Sequence, residues 1–169
     1  SILIANYNNG HFFLDCYDSI IQQSYSNWEV IIVDDCSVDD SVKVIQNIIG
    51  SDKRFKLYTN KKNEGCGFTK NRCVSLANGE ILGFLDPDDL LEPSAINIMV
   101  DLHLSKSKVA LVSSKYKLIS KDGKPIGIGE HGNIIPHGES YLTYGKGAIT
   151  AFATFKKKYY DKTIGIDSK

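Results

Sequence analysis

The chain has 169 residues, 42% hydrophobic and 24% charged, which is typical of one soluble globular domain. Basic and acidic residues number 20 each, so the chain has no net charge to attract nucleic acid or an anionic membrane. No apolar run approaches the length of a transmembrane segment. The acidic residues nevertheless cluster at positions 34–40 and 86–89, which favours a cation site.

The chain contains four cysteines, and no two of them form a Cys-x-x-Cys pair, so a zinc site is not expected. We predict that they are reduced and mostly buried, as in a cytoplasmic protein. The chain opens at Ser1 in a strand-like run without a signal peptide. We interpret it as part of a longer protein that lacks the first few residues.

Short apolar runs alternate with amphipathic stretches along the first hundred residues. Strands are predicted over 2–5, 28–33, 55–59 and 81–85. Helices are predicted over 11–23, 41–49, 68–77 and about 93–103, with Pro93 in the first turn of the last. This order predicts an α/β fold, in which helices flank a mainly parallel, mixed sheet in a Rossmann-like three-layer arrangement.

The pattern changes after residue 108. Strands are predicted over 109–119 and 126–128, on either side of a hairpin turn at 121–124. A further strand is predicted near 149–155 and a short helix near 157–162. We therefore divide the chain into an α/β subdomain, 1–108, and the start of a second lobe of the same domain, 109–169.

Three of the predicted strands end in polar residues: Asn6, Asp34-Asp35 and Asp86-Pro87-Asp88. In open parallel sheets the ligand crevice lies beyond the carboxyl ends of the strands, so these residues mark the expected site. Pro87 stiffens the third group, and carboxylates two residues apart in an extended segment point the same way. Such a pair suits Mg²⁺ or Mn²⁺ and leaves coordination positions for substrate phosphates. The simpler explanation is that Asp86 caps a turn and Asp88 is solvated.

Other polar groups are open to two interpretations. Asp35 could bind a nucleotide base or ribose, or it could cap the following helix. Lys70 and Arg72 could face phosphates or solvent. Gly65-Cys66-Gly67 does not fit a dinucleotide-binding motif, because Lys70 occupies the third glycine position and the loop follows the third strand.

The remaining basic groups show no chemistry of their own. Residues 156–158 are predicted to form a solvated helix end. Three histidines lack metal-ligand spacing and are predicted to be surface or loop residues: His103, His131 and His137.

Residues 1–100 resemble the family 2 glycosyltransferases of the GT-A fold. The resemblance rests on the opening strand with Tyr7-Asn8, on Val33-Asp-Asp-Cys-Ser37, on Asn63-Glu-Gly65 and on Phe84-Leu-Asp-Pro-Asp-Asp89. It implies a metal-dependent, inverting transfer from a nucleotide-sugar, commonly a UDP-sugar, to a saccharide or lipid-linked acceptor. By position, the nucleotide-binding residues would be Ala5, Tyr7, Asp35, Lys70 and Asp86, and the metal ligands would be Asp88 and Asp86.

The sequence departs from the family pattern at three places. Lys70 stands where an arginine is usual, which replaces a bidentate group by a point charge. Cys36 stands where glycine is usual, so we expect a different loop shape after Asp35. Residues 164–167 resemble the Gly-rich segment that precedes the family's catalytic base, and that base is therefore expected beyond Lys169.

Two alternatives remain. Asp86 could be the nucleophile of a haloacid-dehalogenase-type phosphotransferase, although that motif normally closes the first strand of the sheet. The chain could also be a non-catalytic nucleotide-sugar-binding module.

Overall fold

The computed structural model describes residues 1–130 and 152–167. The strands are β1 Ile2–Asn6, β2 Val30–Asp34, β3 Phe55–Thr59, β4 Ile81–Phe84, β5 Leu111–Ser113, β6 Lys117–Ile119, β7 Pro125–Ile128 and β8 Ala153–Lys156. The α-helices are α1 Phe13–Ile21, α2 Ser41–Ile49, α3 Cys66–Leu76, α4 Ala95–Ser105 and α5 Lys157–Tyr160, and a 3₁₀ turn at Gly10–Phe12 precedes α1.

Six strands form one mixed sheet in the order β3-β2-β1-β4-β8-β5. The neighbours among β1 to β4 pair in parallel, whereas β8 runs antiparallel to both β4 and β5. Strands β6 and β7 form a separate antiparallel hairpin. The predicted fold class is therefore confirmed.

Alternating residues of the central strands face two hydrophobic layers. Ile2 and Ile4 of β1 join the cluster formed with α1, α2 and α4, whereas Leu3 joins the cluster that includes Cys73 and Val74 of α3. Because side chains alternate along a strand, a sheet buried on both faces produces continuous apolar runs such as 30–33. The two clusters lie on opposite faces of the sheet and hold helices against each face, which gives three layers: helices, sheet and helix.

The direction of the chain through the sheet reverses between β1 and β4. From β1 the chain proceeds through β2 to β3 at one edge, and it then crosses to β4 on the other side of β1. Loops that follow strands at such a reversal diverge, which opens a crevice at the carboxyl ends of β1 and β4. The residues at that crevice are those that follow Asn6 and Phe84.

Several element boundaries differ from the sequence prediction. Helix α3 begins at Cys66, two residues early, after Gly65 at a φ of 89°. Helix α4 begins at Ala95, so Pro93 lies before the helix rather than in its first turn. The segment 109–119 breaks into β5 and β6, which belong to different sheets. Strand β8 begins at Ala153, and residues 149–151 of the predicted strand lie outside the described residues.

Two predictions about polar residues are wrong. His103 is not at the surface, because it is buried in α4, where its Nε2 lies 3.0 Å from Oγ1 of Thr154. His131 and His137 lie outside the described residues. Of residues 156–158, only Lys158 is exposed as predicted: Lys156 donates to carbonyls after α4, and Lys157 donates to the carbonyl of Ala77 after α3. Cations at these helix ends complement the carbonyl dipoles.

The described residues contain no helix that is long and apolar enough to cross a membrane. None of the four cysteines forms a disulfide. Cys16 and Cys73 are buried as predicted, whereas Cys36 is half-buried and Cys66 is exposed.

Candidate functional site

Hydrogen bonds join the loop after β1 to the loop after β2. The Nδ2 group of Asn6 donates to Oδ2 of Asp34 (2.7 Å), and the backbone N–H of Asn8 donates to Oγ of Ser37 (2.9 Å). Tyr7 lies between these two anchored residues and is 43% exposed. Ala5 is half-buried in β1 beside Val33. Ala5 in β1 and Tyr7 in the loop after it, both predicted to line the nucleotide pocket, are therefore at the carboxyl edge of the sheet.

Asp35 is 3% exposed, and its carboxylate closes the loop after β3. Oδ1 accepts hydrogen bonds from Nδ2 of Asn60 (2.6 Å) and the backbone N–H of Glu64 (2.9 Å), and Oδ2 accepts one from the N–H of Gly65 (2.8 Å). Burial opposes ionisation of Asp35, but these hydrogen bonds outweigh it and lower the pKa of the carboxyl. Asp35 is thus a structural anchor as well as a candidate base contact.

Asn60 connects this anchor to α3, and the sequence analysis missed it. Its Nδ2 donates to Asp35 and to Oγ1 of Thr69 (3.0 Å), while its Oδ1 accepts from the guanidinium of Arg72. Arg72 also donates to the carbonyl of Thr59 (2.8 Å), so it holds the end of β3 and does not face the acidic turn. A polar residue directly after a third strand, as Asn6 is after the first, was the available signal.

The turn after β4 is the exposed counterpart of this buried network. The N–H of Asp89 donates to the carbonyl of Asp86 (3.0 Å), so residues 86–89 form a tight turn. The side chain of Asp86 is 51% exposed, and Asp88 is exposed. Nζ of Lys70 lies 3.5 Å from Oδ1 of Asp86. The structure therefore brings Lys70, Asp86 and Asp88 to one side of the crevice.

The turn concentrates negative charge. Burial, followed by the charges of Asp86 and Asp88, raises the pKa of Asp89. Cys16 of α1 lies beneath the turn, with Sγ 3.9 Å from the carbonyl of Asp86. Burial and then the aspartate charges raise the pKa of the Cys16 thiol to about 12. A cation bound here would relieve the repulsion among the carboxylates.

The donor set fits a divalent ion that shares its coordination with a ligand. Among residues 1–130 and 152–167, no three His, Cys, Asp or Glu side chains are grouped so that they could hold a metal. Two exposed carboxylates provide hard oxygen ligands, and Mg²⁺ commonly binds through one or two carboxylates together with phosphates and water. The remaining coordination positions at Asp86 and Asp88 would thus be filled by substrate.

The profile of Glycosyl transferase family 2 matches residues 1–163. The chain belongs to this family. Chondroitin synthase from Escherichia coli is 28% identical over 173 residues, an alignment that covers 99% of this chain and 24% of the synthase.

Two solved glycosyltransferases share the fold with this family 2 chain. Residues 1–349 of S. aureus TarS, in complex with UDP-GlcNAc, align with a TM-score of 0.77 and 18% identity over 95% of this chain and 46% of that one. The mannosyltransferase PcManGT from Pyrobaculum calidifontis, in complex with GDP-Man and Mn²⁺, aligns with a TM-score of 0.71 and 19% identity over 99% of this chain and 47% of that one. The chain thus spans less than half of each relative compared.

Helix α3 contacts residues 164–167, the segment whose sequence resembles the family's Gly-rich segment. Asn71 donates through Nδ2 to the carbonyl of Ile166 (2.7 Å), and its Oδ1 accepts from the N–H of Ile166 (3.0 Å) and from the hydroxyl of Tyr160. Gly165 has a φ of 82°, and a Cβ there would lie 2.9 Å from Oδ1 of Asn71. Asn71 follows Lys70 directly, so one helix contacts both this segment and the acidic turn.

Cys36 has a backbone conformation that few residues other than glycine adopt. Its φ is 62°, in the left-handed region that favours glycine. The different loop shape expected after Asp35 stays a prediction. The cysteine places a strained residue directly after Asp35.

Proposed function

We propose that this chain carries the donor site of a metal-dependent, inverting glycosyltransferase that uses a UDP-sugar. The observation that carries the proposal is the position of the half-exposed carboxylates of the acidic turn at the crevice between β1 and β4. This is where open α/β sheets bind nucleotides. The family membership and the UDP-GlcNAc complex of TarS support the choice of ligand.

In this proposal Asp88 and Asp86 hold Mn²⁺ or Mg²⁺ against the donor's diphosphate. The ion supplies positive charge that stabilises the diphosphate as a leaving group. Lys70 adds a cation beside Asp86 and faces the same phosphates. Tyr7 and Ala5 line the nucleoside pocket. Asp35 contacts the base through Oδ2, which also accepts a hydrogen bond from the N–H of Gly65.

The acceptor is a saccharide or a lipid-linked saccharide, and an acidic residue that follows the segment 164–167 removes the proton of its hydroxyl. These assignments rest on the family resemblance. They require activity measurements on the longer protein, with the acceptor varied.

The donor site can be tested on this chain by calorimetric titration of UDP with and without Mn²⁺. We expect binding only with the metal, and we expect Asp88→Asn to abolish metal-dependent binding because it removes a ligand charge from the ion. Asp122→Asn is the matched control, since Asp122 is an exposed aspartate of the turn between β6 and β7. Equal UDP affinity in Asp88→Asn and wild type would contradict the metal assignment.

Further measurements distinguish the other donor class, the phosphotransferase and the non-catalytic module. Tighter binding of GDP than UDP would change the donor class but leave the metal site intact. Hydrolysis of p-nitrophenyl phosphate that Asp86→Asn abolishes would instead favour the phosphotransferase. Metal-dependent UDP binding by a longer protein that transfers no sugar would favour the non-catalytic module.

A further inference from the structure

The hairpin formed by β6 and β7 is unusually exposed for a pair of strands. Every residue of both strands is exposed, including Ile126 (68%) and Ile128 (69%). Leu118 and Ile119 on the facing strand are exposed as well. No layer of residues 1–130 and 152–167 covers this hairpin, and an uncovered two-stranded hairpin is marginally stable in water. Clustered exposed apolar side chains mark interaction surfaces.

Basic side chains surround these apolar residues. Residues 115–128 contain four lysines and one aspartate, a local charge of +3 in a chain whose net charge is zero. Glu92 pairs with Lys117 (2.7 Å), and Asp122 lies 3.9 Å from Lys124. Lys115 and Lys121 remain exposed and have no ion-pair partner among the described residues.

The hairpin also lies close to the acidic turn. Glu92, which anchors Lys117, belongs to the same loop between β4 and α4 as Asp86 and Asp88. A surface bound by the hairpin would therefore meet the rim of the proposed donor site.

From this combination we infer that the β6–β7 hairpin docks on an anionic lipid surface. Apolar side chains beside lysines match the two parts of that surface, since the isoleucines enter the headgroup boundary while the amines meet lipid phosphates. A second copy of the chain fits less well, because two hairpins of charge +3 repel each other. Nucleic acid would use the lysines and leave the isoleucines in water.

Flotation of the chain with lipid vesicles tests this inference. We expect the protein to float with phosphatidylcholine vesicles containing about 30% phosphatidylglycerol, and much less with pure phosphatidylcholine. The double variant Ile126→Ser/Ile128→Ser and the double variant Lys121→Gln/Lys124→Gln should each lower the partition coefficient by about tenfold. Added salt should weaken binding, because lysine–lipid attraction is screened.

Two matched controls change the same residue types elsewhere. Leu104→Ser removes an exposed apolar side chain at the end of α4, and Lys43→Gln/Lys53→Gln removes two exposed lysines. Both should float like wild type. Metal-dependent UDP binding, measured on every variant, reports independently on folding and on the proposed function.

Three outcomes would overturn the inference. The wild-type chain could fail to float with anionic vesicles, or the hairpin variants could float as well as wild type. A concentration-dependent dimer that Ile126→Ser/Ile128→Ser dissociates would instead assign the hairpin to self-association.

Discussion

Strands β2 and β4, which lie on either side of β1, each lead into a pair of acidic residues, and the two pairs have opposite environments. At the end of β2, Asp34 and Asp35 are buried. Asp34 accepts hydrogen bonds from Asn6 and Ser37, and Asp35 accepts them from the loop after β3. After β4, Asp86 is half-exposed and Asp88 is exposed. The same side chain therefore serves as an internal acceptor in one turn and remains available to a ligand in the other.

The difference has a physical origin in what the backbone presents to each carboxylate. The loop after β3 directs two backbone N–H groups and the Asn60 amide at Asp35, which compensates its desolvation. At the turn after β4, neighbouring carboxylates surround Asp89 instead, and Lys70 is the cation near Asp86. Burial without hydrogen-bond donors raises the energy of a charged group. A bound cation would therefore stabilise the carboxylates of the turn after β4.

The largest expected effect is the loss of stability when the buried Asp35 is substituted. Asp35→Asn should lower the free energy of unfolding by about 2–3 kcal/mol, because an amide N–H₂ would replace an oxygen that accepts hydrogen bonds from buried donors. Asp88→Asn should change stability by less than about 0.5 kcal/mol, since Asp88 is exposed. Urea unfolding of both variants measures the contrast. Equal stability losses would show that the two turns do not differ as described.

The difference in free energy of unfolding between wild type and Asp35→Asn should depend on pH as the lowered pKa of Asp35 dictates. A carboxyl whose folded pKa lies below its ordinary value of 3.8 contributes stability above that value and loses it as the pH falls through the folded pKa. The stability gap between wild type and Asp35→Asn should thus be constant near neutral pH and shrink below about pH 4. Urea unfolding at a series of acidic pH values measures this gap. A gap that grows on acidification would contradict the assigned direction.

The exposed acidic turn can be tested through Lys70, which pairs with Asp86. Lys70→Gln should weaken metal-dependent UDP binding by about fivefold, because a charge-assisted phosphate contact is lost. Stability should change by less than about 0.5 kcal/mol, since the pair with Asp86 is partly exposed. Lys70→Arg should retain affinity, and Lys43→Gln on α2 is the control. Unchanged UDP affinity in Lys70→Gln would place Lys70 outside the phosphate site.

The smallest expected effect concerns the strained residue beside Asp35. Cys36→Gly should raise the free energy of unfolding by up to about 1 kcal/mol, because glycine adopts a positive φ without a Cβ clash. Cys36→Ala retains the strain and should show no such gain. Thermal unfolding of the two variants distinguishes them, and a gain in the alanine variant alone would exclude backbone strain as the cause.

The sequence predicted the central sheet well because its strands are apolar on both faces. The run at 30–33 is buried throughout and the run at 81–84 is buried at its centre, and the polar residues that follow them mark the carboxyl edge. Helix α2 was predicted with its observed limits, since its apolar face has a regular helical spacing.

Features that depend on distant contacts could not be predicted in this way. The burial of His103 depends on Thr154, 51 residues away, and the role of Arg72 depends on the carbonyl of Thr59. Helix α3 starts at Cys66 without a side-chain cap, so no capping residue marked its beginning. Asp86 was proposed from its position after a strand and Lys70 as a possible phosphate contact, but their ion pair became visible only in the structure.

The position of β8 has a consequence for how this chain acquires its fold during synthesis. Because β8 separates β4 from β5, the sheet cannot be completed until residues 153–156 have emerged from the ribosome. Until then the backbone of β4, which leads directly into the acidic turn, lacks its outer neighbour and offers a free edge to other chains. A nascent or truncated chain that ends before residue 153 is therefore the form most exposed to aggregation.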